Sequence, residues 1–245
     1  MSEPTRRERA RAETDREIRH QARALLVREG QEAITLRAIA RRLGITAPAL
    51  YRYYSSREDL VDHVRQDICA DLADQLTADL AAPPDTGTVT QVFAICRGFR
   101  RWALAHPKEF TLVFASPLKH DQAAEGGVPF ALSGDPFGRI FLAVAGKVLT
   151  TTRLNVRPDD EVPAQLHDDL STFRTSLLTT ITDTGLELSE EVLSLDTAYV
   201  ILRFWVRLYG LIALEVFGQF PFAVSNPEPL FEVMLTELTS DSGIE

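Results

Sequence analysis

The sequence predicts an all-α protein, and three observations support that fold class. Apolar residues recur at helical spacing in most segments between the Gly- and Pro-rich breaks. No segment shows a convincing period-two alternation, which is the pattern of a strand. The stretch Thr35–Arg57 contains two short helices joined by a Gly-containing turn, the pattern of a helix-turn-helix. We therefore expect an N-terminal three-helix helix-turn-helix domain over residues 1–57 and a helical domain over residues 58–245.

Caps and helix breakers set the predicted boundaries. Thr35 is an N-cap for the first helix of the motif, and Gly44 ends that helix because glycine tolerates a positive φ. Thr46 caps the second helix, with Pro48 in its first turn, and Ser56 opens the third with a capping box. Helices are expected over residues 5–29, 57–80, 88–105, 108–115, 136–154, 162–183, 190–218 and 227–239, with a linker near residues 83–87 and a loop over residues 116–135.

The second helix of the motif is small at its start and aromatic and basic at its end. A small start lets the backbone approach base edges, whereas tyrosine and arginine side chains suit phosphate contacts. A helical hairpin in an all-α core, without any DNA function, remains the alternative. For the DNA-binding interpretation, the candidate base-contacting residues are Thr46, Ala47, Pro48 and Arg52, with Arg37 from the first helix, and the candidate backbone contacts are Thr35, Tyr51, Tyr53 and Arg57.

The charge distribution places the predicted nucleic-acid contact at the N-terminal end. Residues 1–57 carry 13 Arg, no Lys and 7 acidic residues, which gives this segment a net charge of +6. Residues 58–245 have a net charge of −15, so the whole chain has a net charge of −9. Such asymmetry is typical of a chain with one nucleic-acid-facing end. The Arg-rich first half of the first helix is either a solvated surface or an arm that contacts phosphates, and the pattern leaves both open.

Composition and motifs argue against several other classes of protein. The N-terminal segment lacks the apolar run of a signal peptide, and no stretch reaches about 18 consecutive apolar residues. Cys69 and Cys96 form no CxxC pair and fit a reducing compartment. No two histidines lie at i, i+4, and the P-loop, GxGxxG and GxSxG motifs are absent. We expect a cytoplasmic protein that is not an enzyme, without catalytic residues, metal, cofactor or membrane partner.

The segment Thr197–Phe220 is apolar on two sides of one helix. Such a helix is buried on both sides, either as the central helix of a monomer or between the subunit core and a second subunit. We favour the second arrangement, because DNA recognition by a single helix-turn-helix usually needs a two-fold dimer. The candidate dimer interface consists of Val206, Gly210, Ala213 and Phe217.

Aromatic residues recur along the second domain, where they form either its core or an apolar ligand pocket with a few polar groups. For the pocket, the candidate ligand-binding residues are Phe93, Arg100, His106, Phe110, Phe114, Phe141, Phe173, Trp205 and Tyr209.

Residues from about Ile18 to Leu60 resemble the tetracycline-repressor (TetR) family of transcriptional regulators. The matching segments, in order, are ARALLVREG from residue 22, T-x-x-x-I-A-x-x-L-G-I from residue 35, ALYRYY from residue 49 and SREDL from residue 56. Arg57 stands where most of the family has Lys, which keeps the cation. The resemblance implies that Tyr51 and Arg57 hold the DNA backbone.

Two later segments, Arg100–Pro117 and Trp205–Gly218, resemble the WHG C-terminal domain of one branch of that family, although Tyr209 replaces its histidine. The resemblance implies a small-molecule effector site in this domain. We therefore expect a homodimeric TetR-like regulator that binds palindromic operator DNA, a repressor released by a small ligand rather than an activator. The alternative is an all-α small-molecule-binding or enzymatic protein without DNA binding.

Overall fold

The computed structural model describes residues 5–80, 87–115, 136–151, 154, 162–183, 185–189 and 191–244, and every regular element among them is helical. The all-α prediction is confirmed, whereas the predicted loop over residues 116–135 lies outside the described residues. Two short 3-10 turns lie at Gln31–Ala33 and Ala164–Leu166, and a π-helical turn lies at Thr111–Ala115. The helices are α1 (Arg6–Glu29), α2 (Leu36–Leu43), α3 (Ala47–Leu50), α4 (Arg57–Leu80), α5 (Thr88–Ala105), α6 (Pro107–Phe110), α7 (Pro136–Thr151), α8 (His167–Asp183), α9 (Leu195–Val216) and α10 (Glu228–Asp241).

A capping box and a buried apolar stripe define the first helix. The Thr5 side chain accepts from the Glu8 N–H at 3.3 Å, and the Glu8 carboxylate accepts from the Thr5 N–H at 2.7 Å. The first half of α1 is exposed and basic, while its second half buries the four residues that the spacing predicts: Ile18, Ala22, Leu25 and Leu26. The second half of the helix therefore packs into unit 1, whereas the arginines of its first half lie in solvent.

The chain forms two compact units, and their boundary differs from the predicted one after residue 57. Unit 1 contains residues 1–69 and 106–116, and unit 2 contains residues 70–105 and 117–245. The first turns of α4 belong to unit 1 because Leu60 and Val64 are buried there and because Asp67 accepts from Arg19 Nε of α1 at 2.6 Å. The continuous helix α4 thus starts in one unit and ends in the other.

Three polar contacts hold α6 and the turn after it within unit 1. The Glu109 carboxylate, 4% exposed, accepts from Arg23 Nε at 2.5 Å. Lys108 Nζ donates to the carbonyls of Val27 and Arg28, in the last turn of α1, at 2.9 and 2.8 Å. A cation also suits this position, because the C-terminus of a helix carries a partial negative charge. Arg65 of α4 donates to the Leu112 carbonyl at 3.1 Å. The segment after α5 is therefore tied to both helices that frame the helix-turn-helix.

Unit 2 buries one face of each long helix. On α8 the buried residues are Leu170, Phe173, Leu177 and Ile181, as their spacing predicts. Helix α9 packs against α5, α8 and α10, and buries Leu208, Leu211 and Ile212. Its opposite face is not buried, since Val206 is 57% exposed and Phe217 is 38% exposed. Within a single chain, α9 therefore keeps one of its two apolar faces in solvent.

We predict that Glu109→Ala lowers the free energy of unfolding by about 1.5–3 kcal/mol, the usual net value of a hydrogen bond to a charged group. The substitution leaves the partly buried Arg23 guanidinium without the carboxylate that it contacts. Urea denaturation measures the change, with the exposed Glu13→Ala on α1 as the matched control. Equal midpoints for the two variants would contradict a stabilising role of this ion pair.

Candidate nucleic-acid interface and ligand cavity

The helix-turn-helix has the predicted order, with one difference at its second cap. The Thr35 side chain accepts from the Ala38 N–H at 3.1 Å, and Gly44 ends α2 with φ of 66°. Thr46 occupies the N-cap position of α3, but its side chain makes no capping hydrogen bond, contrary to the prediction. The reason is that Pro48 has no N–H to offer, while the Ala49 N–H donates to the Thr46 carbonyl at 2.9 Å. The Thr46 hydroxyl therefore lies exposed at the start of α3.

Most candidate DNA-contacting residues lie on the surface of unit 1. Tyr51 is 58% exposed and lies in the turn that directly follows the last residue of α3, Leu50. Among the described residues, the Arg52 side chain makes no hydrogen bond or ion pair, so its guanidinium is available for a base or a phosphate. The exposed members of the candidate set are Thr35, Arg37, Thr46, Pro48, Tyr51 and Arg52, and the partly exposed members are Ala47, Tyr53 and Arg57.

Arg57 has a role within the protein that sequence reasoning missed. Its Nε donates to the Ile34 carbonyl at 2.7 Å, and its Nη2 donates to the Gln31 carbonyl at 2.8 Å. These carbonyls belong to the connection between α1 and α2, which has only a three-residue 3-10 turn of its own. Arg57 therefore positions the start of the helix-turn-helix, and its phosphate contact stays a prediction.

A polar network fixes the end of the helix-turn-helix against α1 and α4. The hydroxyl of Tyr54, a residue 1% exposed, donates to Asp15 Oδ1 at 2.6 Å, and Arg19 contacts both Asp15 and Asp67. Burial, and after it the hydrogen bond to Asp15, raises the pKa of Tyr54, so the hydroxyl remains a proton donor at neutral pH. The sequence shows the tyrosine, but no spacing rule pairs it with Asp15 and Arg19, which lie 39 and 35 residues away.

The arginines in the first half of α1 extend the basic surface of unit 1. Arg11 lies over the ring of Tyr53, with 5.8 Å between the guanidinium carbon and the ring centroid, a cation–π distance. This contact places one arm arginine beside a candidate DNA-contacting residue. The two interpretations of the arm, solvated surface or phosphate contact, both stay open.

Unit 2 contains an apolar cavity between α5, α7 and α9. Its volume is about 90 Å³, and the empty space including its open side is about 720 Å³. Aliphatic side chains form most of the wall, with three aromatic side chains among them, and Ser242, just after α10, is its one hydroxyl group among the described residues. Its lining includes Ile95, Cys96, Phe141, Val148, Phe204 and Trp205.

Of the nine candidate ligand-binding residues, Phe141 and Trp205 line this cavity, with their ring centroids 5.4 Å apart. Tyr209 stacks on Trp205 at 6.1 Å without lining it. Arg100 makes a bidentate ion pair with Glu215 at 2.7 and 2.8 Å. The remaining candidates lie elsewhere: Phe173 in the core around α8, Phe93 beneath the Arg97 guanidinium, and His106, Phe110 and Phe114 in unit 1.

The four candidate interface residues lie on the unburied face of α9. Val206 and Phe217 are exposed, Ala213 is partly exposed, and a Cβ added to Gly210 would meet nothing within 4 Å. Among the described residues, α9 alone is long and apolar enough to cross a membrane, yet 33% of that apolar window is buried inside the chain. The core helix of a globular protein has the same length and composition.

No group of three or more His, Cys, Asp or Glu side chains that suits a metal ion occurs among the described residues.

Family models match both units of the chain. Residues 18–64 match the bacterial regulatory proteins of the tetR family, and residues 92–238 match the tetracyclin repressor-like C-terminal domain. The HTH-type transcriptional regulators Rv1816 of Mycobacterium tuberculosis and Mb1846 of Mycobacterium bovis are each 31% identical to this chain over 216 residues. The match covers 86% of this chain and 84% of each relative.

Solved structures share the fold. The crystal structure of SCO4313, described as a regulatory protein, has a TM-score of 0.62 and 27% identity, and the match covers 96% of this chain and 100% of that one. A protein of unknown function from Rhodococcus sp. RHA1 has a TM-score of 0.54 at 14% identity, with 94% and 95% coverage.

The helix-turn-helix in a basic unit, joined to a helical second unit, defines a DNA-binding transcriptional regulator. The chain belongs to the TetR family, as the resemblance predicts. The alternative without DNA binding is therefore not supported.

We predict that Arg57→Ala lowers the free energy of unfolding by about 1–3 kcal/mol, because two buried or half-buried carbonyls lose their donors. The matched control is Arg52→Ala, which removes the same charge from an exposed side chain five residues earlier. Urea denaturation of the two variants gives the comparison.

The salt dependence of DNA binding measures the predicted contact of Arg57 with a DNA phosphate. A phosphate contact by Arg57 would reduce the slope of log K against log salt by about one in the Ala variant. Unchanged stability together with a reduced slope would show that Arg57 acts on DNA alone.

Proposed function

We propose that this protein is a homodimeric repressor that binds a palindromic operator and leaves it when a small molecule occupies unit 2. The observation that carries the proposal is the exposed, arginine-bearing surface of α2 and α3 in a chain whose other unit has a ligand-sized cavity. The protein would act in the cytoplasm, where it meets its DNA.

The unburied face of α9 supports the homodimer. Val206, Gly210, Ala213 and Phe217 follow one another at i, i+4, i+7 and i+11, which gives one continuous stripe on a helix. Helix α10 packs on α9 and exposes Val233 at 57% and Leu230 at 38%. Two such helices from each subunit would bury the stripe in a bundle, which removes exposed apolar area from water.

A two-fold dimer would present two recognition helices to DNA. Their half-sites must lie about 34–36 Å apart, one helical turn of the duplex, so a small change in subunit geometry releases one half-site. A ligand that prefers the wrongly spaced state by about 1–3 kcal/mol weakens DNA binding some 5–150-fold. The continuous helix α4, which starts in unit 1 and ends in unit 2, is a covalent route for that coupling.

We predict that Arg52→Ala relaxes base preference at one position of each half-site and leaves non-specific affinity largely unchanged. An arginine contact to guanine is worth about 1–3 kcal/mol of discrimination. Binding-site selection followed by footprinting on the DNA upstream of the chain's own coding sequence tests both the operator and this residue. Arg28→Ala, at the end of α1, is the control of equal charge. The same selected motif from wild type and Arg52→Ala would remove Arg52 from the base contacts.

We predict that Ala213→Arg converts the dimer to a monomer, because it places like charges opposite each other in an apolar interface. Operator affinity should fall with it, since a monomer holds a single half-site. Light scattering gives the mass, and circular dichroism checks the fold. The control is Leu104→Arg, at an exposed apolar position of α5 that is 40% exposed. A dimeric Ala213→Arg protein would exclude this face of α9 from the interface.

A further inference from the structure

The cavity of unit 2 offers a ligand almost no polar partners. Among the residues that the structure describes, no charged side chain lines it. The Ser242 hydroxyl already donates to the Leu238 carbonyl at 2.9 Å, which leaves its oxygen only as an acceptor. Burying an ion without a partner costs far more than apolar contacts return. The lining therefore disfavours any ligand that carries a charge into the cavity.

Cys96, the one ionisable group that the described residues contribute to the lining, is also neutral. Cys96 is 1% exposed, and burial raises the pKa of its thiol to about 12. The sulfur is thus a protonated thiol at neutral pH, a weak donor that behaves as a small apolar group. It offers neither a counter-ion for a cation nor a nucleophile for a reactive ligand.

Shape and aromatic content indicate the width of the ligand. Phe141, Phe204 and Trp205 line the cavity, and Phe141 meets Trp205 edge to face. An apolar cavity of about 150 Å³ in another protein holds benzene. A cavity of about 90 Å³ with an open side suits one ring or a branched chain of equal width, with the remainder of the molecule extending towards the opening.

A small polar pocket beside the cavity shares Val200, Phe204 and Ser242 with it and is also lined by Arg203 and Arg207. This neighbour raises the question of an acidic ligand. However, Arg207 Nη1 already donates to a carboxylate across that pocket, Asp241, at 2.9 Å. Asp241 therefore offsets one of the two arginine charges of the pocket, and the other guanidinium, that of Arg203, lies over the Tyr199 ring at 5.7 Å from its centroid.

We propose that the cavity between α5, α7 and α9 binds an uncharged, mainly hydrocarbon molecule, with one ring or an equally wide branched chain packed against Phe141 and Trp205. This inference rests on the proposed function, because it names the class of ligand that would release the operator. At most one polar group of the ligand, a donor, has a partner at the Ser242 oxygen.

Matched neutral and charged probes test the ligand class. Toluene and propylbenzene are the neutral probes, and benzoate and benzylammonium are their charged counterparts. Titration in sealed cells follows the tryptophan fluorescence of the full-length protein, to which Trp205 of the cavity wall and Trp102 both contribute, with calorimetry as a second readout. We expect saturable binding of the neutral probes. Both charged probes should bind with an affinity at least about tenfold lower. Tighter binding of benzoate, lost in Arg203→Gln, would overturn the proposal in favour of an acid.

Two substitutions in the cavity wall of α7, with one control outside the cavity, locate the binding. Ala145 lines the cavity and Ala143 on the same helix does not, so Ala145→Leu should abolish toluene binding while Ala143→Leu keeps it. Val148→Ala enlarges the same wall and should favour propylbenzene over toluene by several-fold relative to wild type. This second variant adds space rather than filling it, so the test survives if Ala145→Leu does not fold. Equal effects of the two leucine variants, with no change of preference in Val148→Ala, would place the probes elsewhere.

Operator binding separates this inference from the proposed function. Without a probe, wild type and Ala143→Leu should shift operator DNA equally. An operator-binding protein that binds no neutral probe would overturn the ligand class and leave the DNA-binding function intact. Neutral probes that bind the cavity without weakening the operator complex would uphold the ligand class and refute release as its consequence.

Discussion

The hydrogen bond from the buried hydroxyl of Tyr54 to Asp15 is the interaction on which the DNA-binding unit depends. A buried hydroxyl without a partner costs about 1–3 kcal/mol, so the hydrogen bond that Asp15 accepts from Tyr54 helps to hold the turn after α3 in place. Asp15 is in turn held by Arg19, whose other partner, Asp67, lies on α4. One chain of polar contacts therefore joins α1, the end of the helix-turn-helix and α4. The exposed residues Tyr51 and Arg52 just before Tyr54 take their position from this network.

The segment after α5 gives the proposed release a second covalent route. Ile95 and Cys96 of α5 line the cavity, and the helix ends nine residues later at Ala105. A single residue separates α5 from α6, where Glu109 holds Arg23 of α1. A ligand that displaced α5 would pull on this ion pair, and the coupling needs only about 1–3 kcal/mol. The buried carboxylate of Glu109 and the helix α4 would then both act on unit 1.

Spacing and caps predict the helices well, because they depend on residues close in sequence. The bounds of α4 and α5 match the prediction, and the stripe from Leu60 to Leu76 is buried. The cavity could not be predicted in the same way. Helical spacing identifies which face turns inward, but a gap between inward faces depends on how three helices pack. Arg57 illustrates the same limit, since nothing local shows that its guanidinium meets the carbonyls of residues 31 and 34.

Helix α9 lines the cavity with one face and carries the exposed apolar stripe on another. Phe204 lines the cavity, whereas Val206, two residues on and therefore about 200° around the helix, lies on the exposed stripe. A ligand that pushes on Phe204 therefore acts on the same rigid element that would carry the dimer contact. Because the stripe passes through Gly210, where no side chain fills the surface, two helices can approach closely there. A small rotation of α9 would then change the packing of one subunit on the other, and with it the spacing of the two recognition helices.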